Sequence, residues 1–299
     1  MDITYFHSKS KPIMNLTPRE LLTGDVRLAS LPEVFTRVNE LIDDPKSSAA
    51  DIGKIISEDP GMTTRLLKVV NSAFYGFPST IDTVSRAITI IGTTELRDLI
   101  LATSVVKMFN HIPEDLINME AFWRHSIATG LIAHILSEQR HKDEHEPLFV
   151  AGLIHDIGKL IIYTRVPELG RETLARAKYN GNDLCDSEND VLGFDHARLG
   201  GELARMWKLP RLLEQTMQYH HNAHSAEEYR AEAALISLAD KISKVVELGN
   251  GGLINGQMPI HSDLWKLAGL SSNVLEKVLK EAEQKFEETI KTLFYENAA

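Results

Sequence analysis

The run Ala151-Gly152-Leu153-Ile154-His155-Asp156-Ile157-Gly158-Lys159-Leu160 interrupts an apolar stretch with an imidazole, a carboxylate and, one turn later, an ammonium. Polar groups in such surroundings are costly to bury unless partnered. If the run is helical, Lys159 lies three residues from Asp156 and four from His155 and shares their side. It could pair with Asp156 or hold a phosphate oxygen. Adjacent helical residues diverge by about 100°, yet one ion in the crease between them can take an imidazole nitrogen and a carboxylate oxygen together. By itself, a His-Asp pair that satisfies itself in a core is an equally good account. Other segments add to the set: His125 in FWRHSIATG, His196 in FDHARLGGELARMW, His220-His221 ending a helix with Leu212, Leu213 and Met217 on its apolar face, and Asp240 in ALISLADKIS. Each alone reads as an ordinary polar residue. Together they put imidazoles and carboxylates on five separate helices, the donor set of a metal centre in a helical bundle.

The elements that must position these groups are helices. Thr17-Pro18-Arg19-Glu20 combines an N-cap, a first-position proline and a capping-box glutamate. Leu31, Val34, Phe35, Val38, Leu41 and Ile42 recur at helical steps. Ser48 with Asp51 opens a helix through Ile56, and Asp59-Pro60 starts another that Asn71–Gly76 is expected to close at the glycine. Val84–Ile91 is β-branched enough for a strand but alternates poorly and is read as helix. Gly92 breaks the chain before a helix over Glu95–Phe109. Further helices are expected near Ala121–Ser137, Leu148–Tyr163, His196–Trp207, Pro210–His221 and Ala231–Leu248, with GNGGLING (Gly249–Gly256) as a loop. A last helix carries Val274, Val278, Ala282, Phe286, Ile290 and Leu293 on one face, which must be buried on the chain or on a second subunit. The expectation is an all-α, two-lobed helical bundle: an N-terminal extension over 1–17, one helical lobe over 18–112, a second with the His/Asp set over 113–248, and a C-terminal extension over 249–299.

Composition removes several function classes. With 43% apolar and 25% charged residues the chain has the balance of a soluble globular protein. Its 32 Lys and Arg against 42 Asp and Glu leave a net charge of −10 and no evident basic patch, so direct nucleic-acid binding is not expected. No apolar run approaches membrane-spanning length, and MDITYFHSKSKPIMNL has no signal-type apolar core, so a cytoplasmic protein without membrane attachment is expected. The single cysteine excludes an intramolecular disulfide and a Cys-based zinc site. Cys185 sits in the polar segment NDLCDSEND, whose carboxylates should raise its pKa and make it a poor nucleophile. Gly152…Gly158-Lys159-Leu160 misses the phosphate-loop spacing and its hydroxyl residue, and no G-x-S-x-G elbow is present. His141 and His145, in HKDEHE, read as a solvated polar turn.

The order His125…His155-Asp156…Asp240 resembles the H…HD…D ligand order of the HD-domain metal-dependent phosphohydrolase superfamily. His196, with Gly200 four residues on, and His220-His221 resemble the extra ligands of its two-metal branches, including the HD-GYP phosphodiesterases. The first half is similar to something narrower. Leu31-Pro32…Asp59-Pro60-Gly61-Met62…Leu66-Leu67…Asn71-Ser72-Ala73-Phe74-Tyr75, continued by Ile81…Ala87-Ile88…Ile91-Gly92, looks like the opening of HDOD domains, the HD-related output domains of bacterial signalling. That likeness spans roughly residues 18–220. Two departures stand out. HDOD domains are often degenerate at the HD positions, whereas this chain keeps the set; and it has no GYP segment, with Asn222 after His220-His221 where HD-GYP enzymes tend to have glutamate.

The resemblance implies two divalent ions: His125, His155, Asp156 and Asp240 on one, His196, His220 and His221 helping to hold the second, and Asp156 bridging. Ions about 3.5–4 Å apart can acidify a water and clamp both oxygens of a displacement at phosphorus, with catalytic roles falling to Asp156 and Lys159, the latter steadying phosphoryl charge. Imidazole and carboxylate without thiolate favour iron or manganese, with nickel or zinc also suited, over calcium. The same ligand types resemble di-iron oxygenases of the superfamily, so a metal centre alone does not identify the reaction. The leading expectation is a bacterial signalling protein acting through helical surfaces on a protein partner. The alternative is a metal-dependent phosphohydrolase or phosphodiesterase acting on a phosphorylated small molecule, a nucleotide or a cyclic nucleotide. A third possibility is that ions or the polar cluster only pin helices together.

Overall fold

In the computed structural model, residues 16–23, 31, 33–72, 75–109, 112–140, 148–181, 183–247 and 260–294 are described. Capping residues fix where the first helices begin. Thr17 and Glu20 form the expected capping box at α1 (Pro18–Leu22). After α2 (Glu33–Asp43), Ser48 and Asp51 repeat it at α3 (Ala49–Ser57), and Asp59 accepts the Met62 N–H at the start of α4 (Pro60–Val70). Contrary to expectation, α4 does not run on to a glycine. The Asn71 side-chain amide donates to the carbonyls of Leu67 and Ile81, and its oxygen accepts the Ile81 N–H, all at 2.7 Å. That side chain competes with the helical ladder and ends it, before Gly76 turns the chain at φ 61°.

Val84–Ile91 is helical, the first part of α5 (Val84–Met108), because Val84, Ala87 and Ile88 are buried on one face and tertiary burial outweighs β-propensity. Gly92, at φ 85° and ψ 167°, kinks the helix, as the sequence predicts. The central element is α6 (Met119–Glu138), buried on most sides. The expected single helix over 148–163 is two: α7 (Phe149–Ile154) and α8 (Ile157–Arg165), separated at His155-Asp156. Two helices absent from the sequence reading follow, α9 (Pro167–Asn180) and α10 (Leu184–Leu192), each ending at a left-handed glycine, Gly181 and Gly193. Then come α11 (His196–Met206), α12 (Arg211–Tyr219), α13 (Arg230–Glu247), α14 (Ser262–Leu267) and α15 (Leu275–Phe294). Among the described residues there is no strand, and no helix is long and apolar enough to cross a membrane.

Helices α2 to α5 pack on one another, while α6 is flanked by α7, α13 and α15. Val278, Ala282, Phe286 and Ile290 of α15 are buried against α6 and α4, so the last apolar stripe is covered by the chain itself. Arg124 ties it down, bonding Glu287 at 2.8 Å with its guanidinium over the Phe286 ring. Helices α6 and α7 touch at paired glycines: a Cβ on Gly152 would lie 2.6 Å from Gly130 Cα. That approach carries His155, just past α7, towards His125 on α6. The segments holding His141, His145 and Gly249–Gly256 lie outside the described residues.

Candidate metal centre

All seven histidine and aspartate positions singled out in the sequence meet in one place. Two groups of ligand-type atoms form, Asp156 with His196, His220 and His221, and His125 with His155 and Asp240, each with its atoms within 4.8 Å of one another. Asp156 stands between them. Its Oδ1 faces His196 Nε2 at 3.0 Å and His220 Nε2 at 3.6 Å, while its Oδ2 faces His155 Nε2 at 3.3 Å and His125 Nε2 at 3.8 Å. Asp240 Oδ1 closes the second group at 3.1 Å from His125 Nε2 and 3.8 Å from His155 Nε2. His221 Nε2 lies 2.9 Å from His196 Nε2.

The break between α7 and α8 makes this possible. On a continuous helix, neighbours 155 and 156 would diverge. Here Asp156, at φ −98° and ψ 6°, leaves the helical path and its carboxylate turns back towards the His155 ring. Lys159 does share the side of Asp156, and of the two roles open to it in the sequence the structure shows pairing: its Nζ hydrogen-bonds Asp156 Oδ2.

The outer nitrogen of each inward-facing ring is held. The Nδ1–H of His155 donates to the Gly152 carbonyl at 2.7 Å, and that of His220 to the Met217 carbonyl at 2.8 Å. The Ser243 hydroxyl donates to the Asp240 carbonyl, so its oxygen is left to accept from His125 Nδ1 at 3.2 Å. His196 Nδ1–H donates to Glu188 Oε2 at 2.6 Å. Carbonyl oxygens can only accept, so His155 and His220 each carry a hydrogen on Nδ1 and turn Nε2 inward; the Nε2 lone pair is free on neutral His220 and becomes free on His155 when that ring gives up its second proton. His155 Nε2, His220 Nε2 and Asp156 Oδ1 are buried without a hydrogen-bond partner. A hollow lined by imidazole nitrogens and carboxylates fits divalent cations, which would displace the ring protons and satisfy these atoms together.

Protonation follows the same geometry. Burial disfavours charge on His155, but Asp156 and Asp240 outweigh it and raise its pKa to about 9. Burial likewise opposes charge on His196, and Glu188 and Asp156 overcome it to reach about 8. For His220 burial wins and the value falls to about 4. Burial opposes ionisation of Asp156, but His155 and Lys159 hold its pKa well below the usual carboxylate range. His155, Asp156, His196 and His220 are almost wholly buried. The side chains of His125 and Lys159 are 14% and 20% exposed, and His221 is the solvent-facing member of the set.

Glu188 and Ser243 were not picked out in the sequence. Glu188 was hidden because NDLCDSEND reads only as a polar segment, whereas it folds as α10 with Ser187, Glu188, Val191 and Leu192 buried. The buried carboxylate accepts both the backbone N–H and the ring N–H of His196. Cys185, on the same helix, is half-buried, and burial, then Glu188 and Asp195, push its thiol pKa up, as expected for a poor nucleophile.

Residues 28–223 match the HDOD domain family. An uncharacterized protein of Treponema pallidum (strain Nichols) is 26% identical over 217 residues, covering 71% of this chain but 41% of that relative, so the chain spans less than half its length. Among solved structures, an HDOD domain protein of unknown function from Geobacter sulfurreducens superposes with a TM-score of 0.72 at 21% identity, covering 93% of this chain and 97% of the other. A candidate phosphohydrolase from Shewanella amazonensis SB2B gives 0.70 at 24% identity, covering 88% and 94%. At these identities the two structures speak for a shared fold. With its capping motifs, its helical architecture and the match over residues 28–223 in agreement, the chain belongs to the HDOD family.

Proposed function

We propose that this HDOD protein holds two divalent ions, one at His125, His155 and Asp240, the other at His196, His220 and His221, with Asp156 shared between them. We further propose that it works chiefly as a regulatory module recognised by a protein partner. The observation that carries the metal reading is the convergence of imidazoles with their outer nitrogens already satisfied on a carboxylate whose inner oxygen faces two of them without a hydrogen bond. Donors of nitrogen and oxygen without thiolate favour iron or manganese, with nickel and zinc as further fits. The regulatory reading is supported by family membership and by the closure of the centre, where five of the seven residues are buried.

Elemental analysis of protein purified without chelator tests the centre, with about two equivalents expected and less than about a tenth of an equivalent overturning it. Asp156→Asn should lose both ions, because each donor group faces one of its two oxygens. A variant that keeps a full complement would remove Asp156 from the bridging role.

A second reading, hydrolysis of a phosphorylated small molecule, a nucleotide or a cyclic nucleotide, is favoured by the position of Lys159 and by the solvent-facing His221. Divalent ions held here would supply Lewis acidity towards a phosphoryl oxygen. The chain's own contribution would be Lys159, moving from Asp156 to steady phosphoryl charge, and the buried walls, which limit water around the reacting group. A panel of phosphodiesters and nucleotides with added manganese or iron tests it. Turnover that survives Asp156→Ala would place the activity elsewhere.

A further inference from the structure

His196 differs from the other inward-facing histidines in what stands behind it. His155 and His220 are backed by carbonyl oxygens and His125 by a hydroxyl, all neutral. Behind His196 is the carboxylate of Glu188, wholly buried, 2.6 Å from Nδ1 and 2.8 Å from the His196 backbone nitrogen. The ring and the main chain of His196 are therefore held by one oxygen, and the other oxygen of Glu188 has no hydrogen-bond partner.

The two donor groups also differ in charge. The group of His125 and His155 has the carboxylate of Asp240, paired also with the exposed Lys244 at 3.1 Å, besides the near oxygen of Asp156. The group of His196, His220 and His221 has one carboxylate oxygen, that of the shared Asp156, and the residue after the histidine pair is the neutral Asn222. Three neutral rings and a shared carboxylate can hold a divalent cation, but with less negative charge beside it than the other group supplies. A carboxylate hydrogen-bonded to the far side of a ligating imidazole fixes its tautomer and makes its other nitrogen a stronger donor.

We propose that Glu188 is the positioning residue of this second group: acting through His196, it supplies the negative charge that the three histidines lack and sets the affinity of that position for a divalent cation. The proposal deepens the two-ion reading and rests on it. Glu188 touches no ion and is not a ligand. Both of its hydrogen bonds go to His196, so the larger effect of its loss falls on this position and the smaller on that of His125 and His155.

The test is calorimetric titration of chelator-stripped full-length protein with Mn2+, comparing wild type, Glu188→Gln and Glu188→Asp. Wild type is expected to show two binding events. Glu188→Gln, which removes the charge at nearly constant shape, weakens one event by about 10–100-fold and the other by less. Glu188→Asp, which keeps the charge with a shorter reach, recovers part of the loss; a defect in packing alone would not return with charge. Imidazole nitrogen NMR of the stripped protein, at a pH above the His196 titration, supplies a readout free of metal. His196 is expected as the Nδ1–H tautomer in wild type and as a mixture in Glu188→Ala, with His155 and His220 unchanged. Two events of wild-type affinity in Glu188→Gln, or an unaltered His196 tautomer in Glu188→Ala, overturn the proposal alone. Fewer than two events in wild type overturn the two-ion reading and the proposal with it. If Glu188→Gln does not fold, the Glu188→Asp titration and the tautomer measurement decide by the same outcomes.

Discussion

Gly158 lies against the main chain of His196 so closely that a Cβ at position 158 would stand 2.0 Å from the His196 carbonyl oxygen and 2.8 Å from its carbonyl carbon. This contact seats the start of α8 on the start of α11, and it is what brings Asp156 Oδ1 within 3.0 Å of His196 Nε2. Gly158→Ala must drive the two helices apart and is expected to cost about 1–3 kcal/mol while lowering metal content. Denaturant unfolding and elemental analysis check both. Gly200→Ala, on the partner helix α11, is the control: its nearest new neighbour would be the flexible tip of Met217 at 3.4 Å, so stability should change by less than about 1 kcal/mol. Equal losses from both substitutions would mean the Gly158 contact has no special role.

Chelated protein should be most stable near neutral pH. His155 and His196 have folded pKa values of about 9 and about 8, above the ordinary 6.5 of an unfolded chain. Their contribution is complete below 6.5 and is lost as pH rises through 8 and 9; for His155 it is on the order of 3 kcal/mol. His220 has the opposite sign. Its folded value of about 4 lies below the unfolded one, so stability falls as pH drops from 6.5 towards 4. Bound ions need the unprotonated rings, so metal saturation should abolish the alkaline loss and metal affinity should rise between pH 6.5 and 9. Unfolding midpoints across this range, with and without chelator, decide it. An alkaline loss of equal size in both would detach these histidines from the metal.

Lys159 competes with any ion for the same oxygen, since its ammonium bonds Asp156 Oδ2. Lys159→Met, which keeps the aliphatic stem and removes the charge, should therefore bind Mn2+ more tightly than wild type, by roughly tenfold or less for one partly exposed ion pair. If the protein also turns over phosphoesters, the same variant should lose that activity while holding metal. Weaker Mn2+ binding in the variant would show that Lys159 helps to build the centre.

Much of this architecture was legible in the chain because local signals agreed with burial. Thr17 with Glu20, Ser48 with Asp51, and Asp59 before Pro60 each mark a helix start where the structure has one. The seven residues that converge were legible by type and chain order, since imidazoles and carboxylates are conspicuous in apolar helices. Three things were not. The separation of α7 from α8 leaves no glycine or proline at His155-Asp156 to announce it, and the turn is imposed by what the side chains reach. Helix α10 reads only as a polar segment, so Glu188 was concealed with it. The stop at Asn71 depends on a side-chain bond to Ile81, ten residues away, which helical periodicity does not encode.

Asp240 projects from α13, beyond residue 223 where the family match ends, yet its carboxylate closes the His125 and His155 group. A fragment trimmed to the matched segment would retain the other six site residues and still lose half of the centre's paired acidity, leaving His125 and His155 with no counterion of their own. Domain dissection of this protein should therefore cut after α13 at the earliest, and relatives judged by the matched segment alone would be scored as intact or degenerate without the residue that decides it.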